Sequence, residues 1–526
     1  MLIIPEKKAI LLRLKDPARV TTVIPQARRV SHEGVSYIAV PHQVEVVQVL
    51  RNLGIEAPSP IYSYYGWPGR FLPYAHQKEI AAFLTMNNRA FNLGDLGVGK
   101  TLATLWAFDY LRSRGIVTKM LVVTPLSTLE RTWADEVFNH FPHLTAVSLH
   151  GSRDKRFKML AQDAEIYLIN HDGIKVRGFT EAMAQRPDIN LIIVDEIAQI
   201  GRISSTDRFK ALNIIVNRQH PRKAWGLTGA PIPNGPMDAW AQCRLLVPER
   251  VPPFKNNFQA QVLRKVSNFV WVPRDGALEI VQEVMQPAIR FHRDECVDLP
   301  PCVYETRHVE LTPEQSKAYK DMLARLHTEI SEGSITAVNE AVKAQKLLQI
   351  CCGVVYNSEK EHAYLDATPR LQAVLDIVEQ SRQKVIVFAP FVGSIPIIRD
   401  YLEKHGYTTE AVSGAVSKTE RDRIFGAFQR EDNPKVLVSI AQTMSHGLTL
   451  TAADTIVWYA PTTSADTYTQ ANARISRPGQ KHSQMVVHIE GTALERKYFQ
   501  RLRDKEDLQG TLLDAIRDER DERIPA

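Results

Sequence analysis

NLGDLGVGKT, from Asn92 to Thr101, is the stretch on which the reading of this chain turns. Gly94 to Thr101 satisfies every fixed position of the phosphate-binding pattern G-x-x-x-x-G-K-[ST]. Glycines at 94, 97 and 99 let the backbone curl so that successive N–H groups face an anion. Gly94, Gly97, Val98, Gly99, Lys100 and Thr101 are therefore the candidate phosphate-loop contacts. Lys100 is placed to reach the terminal phosphates, and the Thr101 hydroxyl to hold a magnesium ion. The flanks agree. Arg89 to Leu93 reads as a short strand, and Thr101 to Leu111 as a helix whose positive N-terminal end faces the loop.

The chain has 526 residues, enough for two to four domains with ample core. Hydrophobic content of 44% and charged content of 24% are those of a globular protein. The net charge of +6 is compatible with a polyanionic partner without requiring one. Five cysteines form no C-x-x-C pair, and reduced, buried thiols are expected rather than a zinc site. Charges come too early in MLIIPEKKAILLRLKD for a signal peptide, and no apolar run is long enough to span a membrane. A cytoplasmic location is expected.

Ahead of the loop, residues 1–68 read as a small α+β accessory domain. Ala9 to Leu14, Val20 to Ile24 and Ser36 to Val40 read as strands, and Gln43 to Leu53 as a helix. Lys7, Lys8, Arg13, Arg28 and Arg29 either form a solvated face or touch nucleic-acid phosphates. Pro58-Ser-Pro60 and Gly66-Trp-Pro-Gly69 mark a linker. Then comes Leu72-Pro-Tyr-Ala-His-Gln77, in which the Gln77 amide has both a donor and an acceptor to offer to the edge of adenine.

After the loop, strand and helix alternate. Lys119 to Thr124, Ile166 to Ile169 and Leu191 to Val194 are short apolar runs of the kind buried in parallel sheets, and Ser127 to Phe141 reads as a helix. Asp195-Glu196 ends the last of these runs, where open α/β sheets bind ligands. There Asp195 is suited to orient magnesium and Glu196 to polarise an attacking water. Thr228 and Gly229 follow another short strand and suit a tight connection that senses phosphate occupancy. Residues 69–240 thus form a first parallel-sheet lobe, and residues 241–366 a mainly helical insertion, with Thr312 a helix N-cap.

A second alternating unit covers residues 367–513 and has no phosphate loop. It carries Gln470-Ala-Asn-Ala-Arg-Ile-Ser-Arg-Pro-Gly-Gln480. On a helix, Arg474 and Arg477 share a face, and two fixed guanidiniums can stabilise charge on a transferring phosphoryl group. Residues 514–526 read as a charged tail.

These motifs, in this order, resemble superfamily 2 helicases and translocases, and most closely the Swi/Snf-like branch. LPYAHQ is similar to the adenine-reading glutamine motif, LVVTPLSTLERTWADEV to motif Ia, YLINHDGIK to motif Ib, and DEIA to the DEAH box. GLTGAPIPN resembles LTGTPIQN, and KVIVFAPF, SGAVSKTERDRIFGAF, LVSIAQTMSHGLTLTAAD and QANARISRPGQ resemble motifs IV to VI. The compact size and SHGLTLTAADTIVWYAPT are similar to bacteriophage or prophage members. Ala198 stands where the family has the DEAH histidine, Gly94 where aspartate is frequent, and Ser445-His446 where a double glycine is usual.

The resemblance implies two tandem RecA-like lobes that close on ATP and Mg2+, with Gln77 and Gln470 among the ATP contacts. It implies Lys100, Glu196, Arg474 and Arg477 as catalytic residues, Thr101 and Asp195 as metal-holding residues, and Thr228-Gly229 as the coupling element. Thr124, Pro125, Ser127, His171, Ser413 and Gly447 match positions that touch DNA phosphates. The implied activity is a DNA-dependent ATPase that remodels branched DNA, with a monomer the expected state. An RNA helicase, or a non-catalytic nucleotide-binding adaptor, are the competing expectations.

Overall fold

The computed structural model describes residues 1–504 except 33, 202, 268–270, 297–299, 332–336, 357–361, 445–448 and 478. The chain divides into two compact units, Met1–Val297 and Asp298–Ala526. No helix among the described residues is long and apolar enough to cross a membrane.

The first unit is built on a seven-stranded sheet. Its spatial order is Ala288–Ile289, Arg89–Asn92, Lys223–Leu227, Ile189–Asp195, Lys119–Thr124, Ile166–Asn170 and Ala146–Ser148. Every neighbouring pair is parallel. Parallel strands need helical crossovers, which cover both faces and demand apolar residues on each. The side chains divide accordingly: Leu191 and Ile193 enter one core, Ile192 and Val194 the other. Because all strands run the same way, their C-terminal ends form one edge, and the loops leaving that edge carry the residues of interest.

Residues 1–68 form a four-stranded antiparallel sheet in the order Leu2–Ile4, Ala9–Leu12, Val35–Pro41, Arg28–His32. Its core is not separate. Ile10, Leu12, Val40, Val47 and Leu50 join Ile80, Ala81 and Leu84 in one cluster. The expected linker is pinned too: the Tyr65 hydroxyl donates to Asp109 Oδ2 at 2.6 Å, and Trp106 Nε1 donates to the Pro68 carbonyl at 2.8 Å. Val20 to Ile24, expected as a strand, instead overlaps a helical turn at Ala18–Thr21. Asp16 Oδ1 accepts from Ala18 N at 3.0 Å, and the i, i+4 pair Val20 and Ile24 is buried together. Tertiary burial here overrides the β-branched preference. Arg28 and Arg29 lie exposed on an outer strand.

Residues 241–366 contain helices, as expected, but they also supply a strand to each sheet. Ala288–Ile289 pairs with Phe91 and Asn92, and Cys302–His308 pairs with Gln484–Glu490. Thr312 caps its helix: Gln315 N donates to Thr312 Oγ1 at 3.3 Å, and Gln315 Oε1 accepts from Thr312 N at 3.1 Å.

The second unit has a six-stranded parallel sheet in the order Cys302–His308, Gln484–Glu490, Ala453–Trp458, Lys384–Phe388, Val436–Ser439, Thr409–Val412. At the heart of this unit the Arg370 guanidinium meets Glu495 at 2.7 Å, with both side chains almost wholly buried. Arg370 Nη1 also donates to the Tyr459 carbonyl, and Glu495 Oε2 accepts from Gly491 N and Thr492 Oγ1.

Candidate active site

The loop Leu93–Gly99 joins the strand Arg89–Asn92 to the helix Lys100–Ser113. Gly97 and Gly99 have φ of 89° and 79°, in the left-handed region open to glycine. A Cβ on Gly99 would collide with Gln77 Nε2, so Gln77 packs directly on the loop backbone and leaves no room for a side chain there. Lys100 Nζ donates to the carbonyls of Gly94 at 2.7 Å and Asp95 at 3.0 Å, which holds the ammonium over the loop. Asn92 Oδ1 accepts from Gly94 N at 3.3 Å, anchoring the loop where it leaves the sheet. Thr101 lies in the first turn of the helix and is partly buried.

Gln77 is buried and already engaged. Its Oε1 accepts from Tyr74 N at 3.0 Å, closing the cap of the helix Ala75–Met86, and its Nε2 faces the Val98 carbonyl at 3.5 Å. His76 Nε2 lies 2.9 Å from the same carbonyl. Here the glutamine braces the phosphate loop, a contact the adenine reading does not anticipate.

Two strands along from the loop, Asp195 ends Ile189–Asp195, and Thr228 follows the strand between them. Asp195 Oδ2 accepts from Thr124 Oγ1 at 2.9 Å and from Trp133 Nε1 at 2.9 Å. Asp195 Oδ1 accepts from Glu196 N at 3.1 Å. Glu196 has φ 50°, unusual for a residue with a side chain, and such strain gathers at functional sites. Thr228 Oγ1 reaches Glu196 Oε2 at 3.4 Å, and Gly229 packs against Leu96 of the phosphate loop.

The donor set suits a hard dication. A carboxylate, a hydroxyl and a glycine-rich loop leading into a helix N-terminus are what magnesium-bound phosphates take. The placement of Lys100, Thr101, Asp195 and Glu196 after parallel strands along one sheet edge fits that group.

Two of the expected DNA contacts, Thr124 and His171, face inward. Thr124 is fully buried and gives its hydroxyl to Asp195, while His171 is buried with Nε2 2.9 Å from the Asp195 carbonyl. Burial holds the His171 imidazole below its ordinary range. Both side chains brace Asp195. Pro125 is buried, Ser127 is exposed and Ser413 is half-buried. Gly447 lies outside the described residues, as does the expected tail at 514–526.

The expected helix over Ser127 to Phe141 is three pieces: Leu126–Thr128, a π-helical turn Leu129–Ala134, and Asp135–His140. Trp133 on that turn is the functional candidate that sequence reading passed over. Its only signal was a tryptophan at a site otherwise read as nucleic-acid contact.

In the second unit, the helix expected to carry both arginines spans Ala465–Asn472 and stops short of them. Arg474 lies in the following turn, buried, with Nε donating to the Gln470 carbonyl at 3.0 Å. Arg477 is half-exposed, with Nη1 donating to Thr449 Oγ1 at 3.0 Å. Gln470 is buried.

A G-x-x-x-x-G-K-T loop and an acid pair on one edge of a parallel sheet, followed by a second parallel-sheet unit, define a two-unit P-loop architecture. The SNF2-related domain matches residues 76–356, and the helicase conserved C-terminal domain matches residues 369–479. The chain belongs to the SNF2-related family. It is 25% identical over 472 residues to protein p41 of Acyrthosiphon pisum secondary endosymbiont phage 1, covering 85% of this chain and 99% of that one. It is 23% identical over 457 residues to the ISWI chromatin-remodeling complex ATPase ISW1 of Saccharomyces cerevisiae, covering 82% of this chain but 38% of that one. A solved structure, the Sulfolobus solfataricus SWI2/SNF2 ATPase core in complex with dsDNA, aligns with a TM-score of 0.41 at 23% identity, covering 83% of this chain and 92% of that one.

Proposed function

We propose that this protein is a DNA-dependent ATPase that tracks along DNA and remodels branched structures. The observation that carries the reading is the row formed by Lys100, Thr228 and Asp195-Glu196 along one edge of the first sheet. Lys100 and the loop N–H groups bind the phosphates, Asp195 orients the metal site, and Glu196 aligns the attacking water. Arg474 and Arg477 supply charge to the transferring phosphoryl group. Magnesium, when bound, neutralises phosphate charge during transfer. The family membership and the relatives named as ATPases support hydrolysis.

Ser127 and Ser413 remain the proposed phosphate-backbone contacts. Such contacts carry little sequence information and give salt-sensitive binding. Branched DNA is favoured because the N-terminal sheet, with exposed Arg28 and Arg29, shares a core with the first unit and therefore moves with it. A monomer at work in the cytoplasm completes the proposal.

The test is steady-state ATP hydrolysis titrated with forks, four-way junctions, duplex DNA, single strands and RNA. Strongest stimulation by forks or junctions is expected. Stimulation by RNA alone identifies an RNA helicase, and no hydrolysis with any of them identifies an adaptor. The Lys100→Ala protein should lose hydrolysis and keep DNA binding.

A further inference from the structure

The carboxylate of Asp195 is held asymmetrically. Oδ2 receives two donors, the Thr124 hydroxyl and the Trp133 indole N–H, each at 2.9 Å. A carboxylate oxygen has two lone-pair sites, so Oδ2 is saturated. Oδ1 receives one donor, Glu196 N at 3.1 Å, and keeps a site to spare. The Thr124 hydroxyl is itself 2.5 Å from Thr128 Oγ1, which extends the chain of hydroxyls into the segment.

The backbone shape that brings Trp133 to this point is specific. Asp135 N donates to Glu130 O, five residues back, as in a π-helix. The extra residue in that turn lets the buried indole and the Thr124–Thr128 end of one segment converge on one oxygen. Trp133 is fully buried, so its N–H has no water to fall back on.

We infer that Trp133 and Thr124 are positioning residues that fix which oxygen of Asp195 faces the cation, and so set the magnesium affinity of the site. The inference rests on the assignment of Asp195 as the metal-holding acid. The residues act through Asp195 and touch neither nucleotide nor metal. The same segment presents Leu126, 57% exposed, and exposed Ser127 to solvent.

The experiment measures calorimetric binding of a non-hydrolysable ATP analogue in excess magnesium and in EDTA, for the full chain and four variants. In Trp133→Phe and Thr124→Val the tightening conferred by magnesium should fall about 10-fold, the scale for loss of an outer contact to a metal ligand. Binding in EDTA should stay within about 2-fold of the parent, because the phosphate loop is untouched. Thr124→Ser, which keeps the hydroxyl, should retain the parent's magnesium effect. An equal loss in both media, or full tightening in both Trp133→Phe and Thr124→Val, overturns the inference. Asp195→Asn separates the two levels. If it abolishes the magnesium effect while Trp133→Phe and Thr124→Val keep it, the acid is assigned correctly and the positioning role is wrong. If the parent shows no magnesium effect and Asp195→Asn changes nothing, the assignment of the site itself has failed.

Discussion

Thr228 Oγ1 stands 3.4 Å from Glu196 Oε2, and the residue after it, Gly229, rests against Leu96 of the phosphate loop. One short connection therefore touches both the acid proposed to align water and the loop proposed to bind phosphates. Thr228→Val removes the hydroxyl and keeps the shape. Loss of the contact to Glu196, about 1 kcal/mol, should slow turnover about 5-fold, with nucleotide affinity unchanged. Stopped-flow binding alongside steady-state hydrolysis checks the split; a fall in affinity with unchanged turnover would contradict it.

The two arginines of the second unit should behave differently, because one is buried and the other is half-exposed. Arg477→Ala should bind nucleotide nearly as the parent does and hydrolyse it at least about 100-fold more slowly. Arg474→Ala should also lower the melting temperature, since it removes a buried guanidinium whose Nε serves the Gln470 carbonyl. A cost of about 1–3 kcal/mol is expected for that unmet acceptor and its neighbours. Thermal unfolding of both variants decides the matter, and equal melting temperatures would refute the distinction.

The Arg370–Glu495 pair lies entirely inside the second unit. Breaking a buried pair from one side leaves an uncompensated charge, so Arg370→Met should cost about 3–5 kcal/mol. The double change Arg370→Met with Glu495→Gln should cost less than that single change. Urea unfolding of the two variants provides the check.

His488 gives a pH dependence. Its imidazole is buried, stacked on Phe499 with ring centres 4.2 Å apart, and its Nε2 is 2.8 Å from the Tyr468 hydroxyl. Burial, with Arg503 adding to it, pushes its pKa down to about 3. In the unfolded chain the ring titrates near about 6.5, so below that pH the unfolded state holds the extra proton. The stability that depends on neutral His488 is fully present above about pH 6.5 and drains away as pH falls toward about 3, at about 1.4 kcal/mol per unit. Chemical denaturation at pH 7.5, 6.5 and 5.5 (all about these values) should show a shallower slope in His488→Phe than in the parent. Identical slopes would assign the acid sensitivity elsewhere.

Much of this molecule is legible in its sequence because its chemistry sits in contiguous stretches. The phosphate loop declares itself through Gly97, Gly99 and Lys100, and the acid pair through four apolar residues before Asp195. What stays hidden is side-chain direction. Thr124 and His171 lie in stretches that match DNA-contacting motifs, yet Thr124, at the end of its strand, and His171, just past the end of its own, both turn inward toward Asp195. Arg474 and Arg477 are three apart, but the helix ends at Asn472, so spacing does not set their exposure. The Ala288–Ile289 strand is two residues long, too brief for any periodicity to announce. Residues 20–24 have the composition of a strand and the burial of a helix.

That two-residue strand matters to anyone dividing the chain. Phe91 N and Leu93 N donate to the carbonyls of Pro287 and Ile289, so the strand feeding the phosphate loop is flanked on both sides. Expressing the first unit as a fragment cut near residue 240 would strip one flank and bare a flat apolar edge, an invitation to intermolecular strand addition. A fragment carried through Cys296 keeps that edge shielded and is the one to purify.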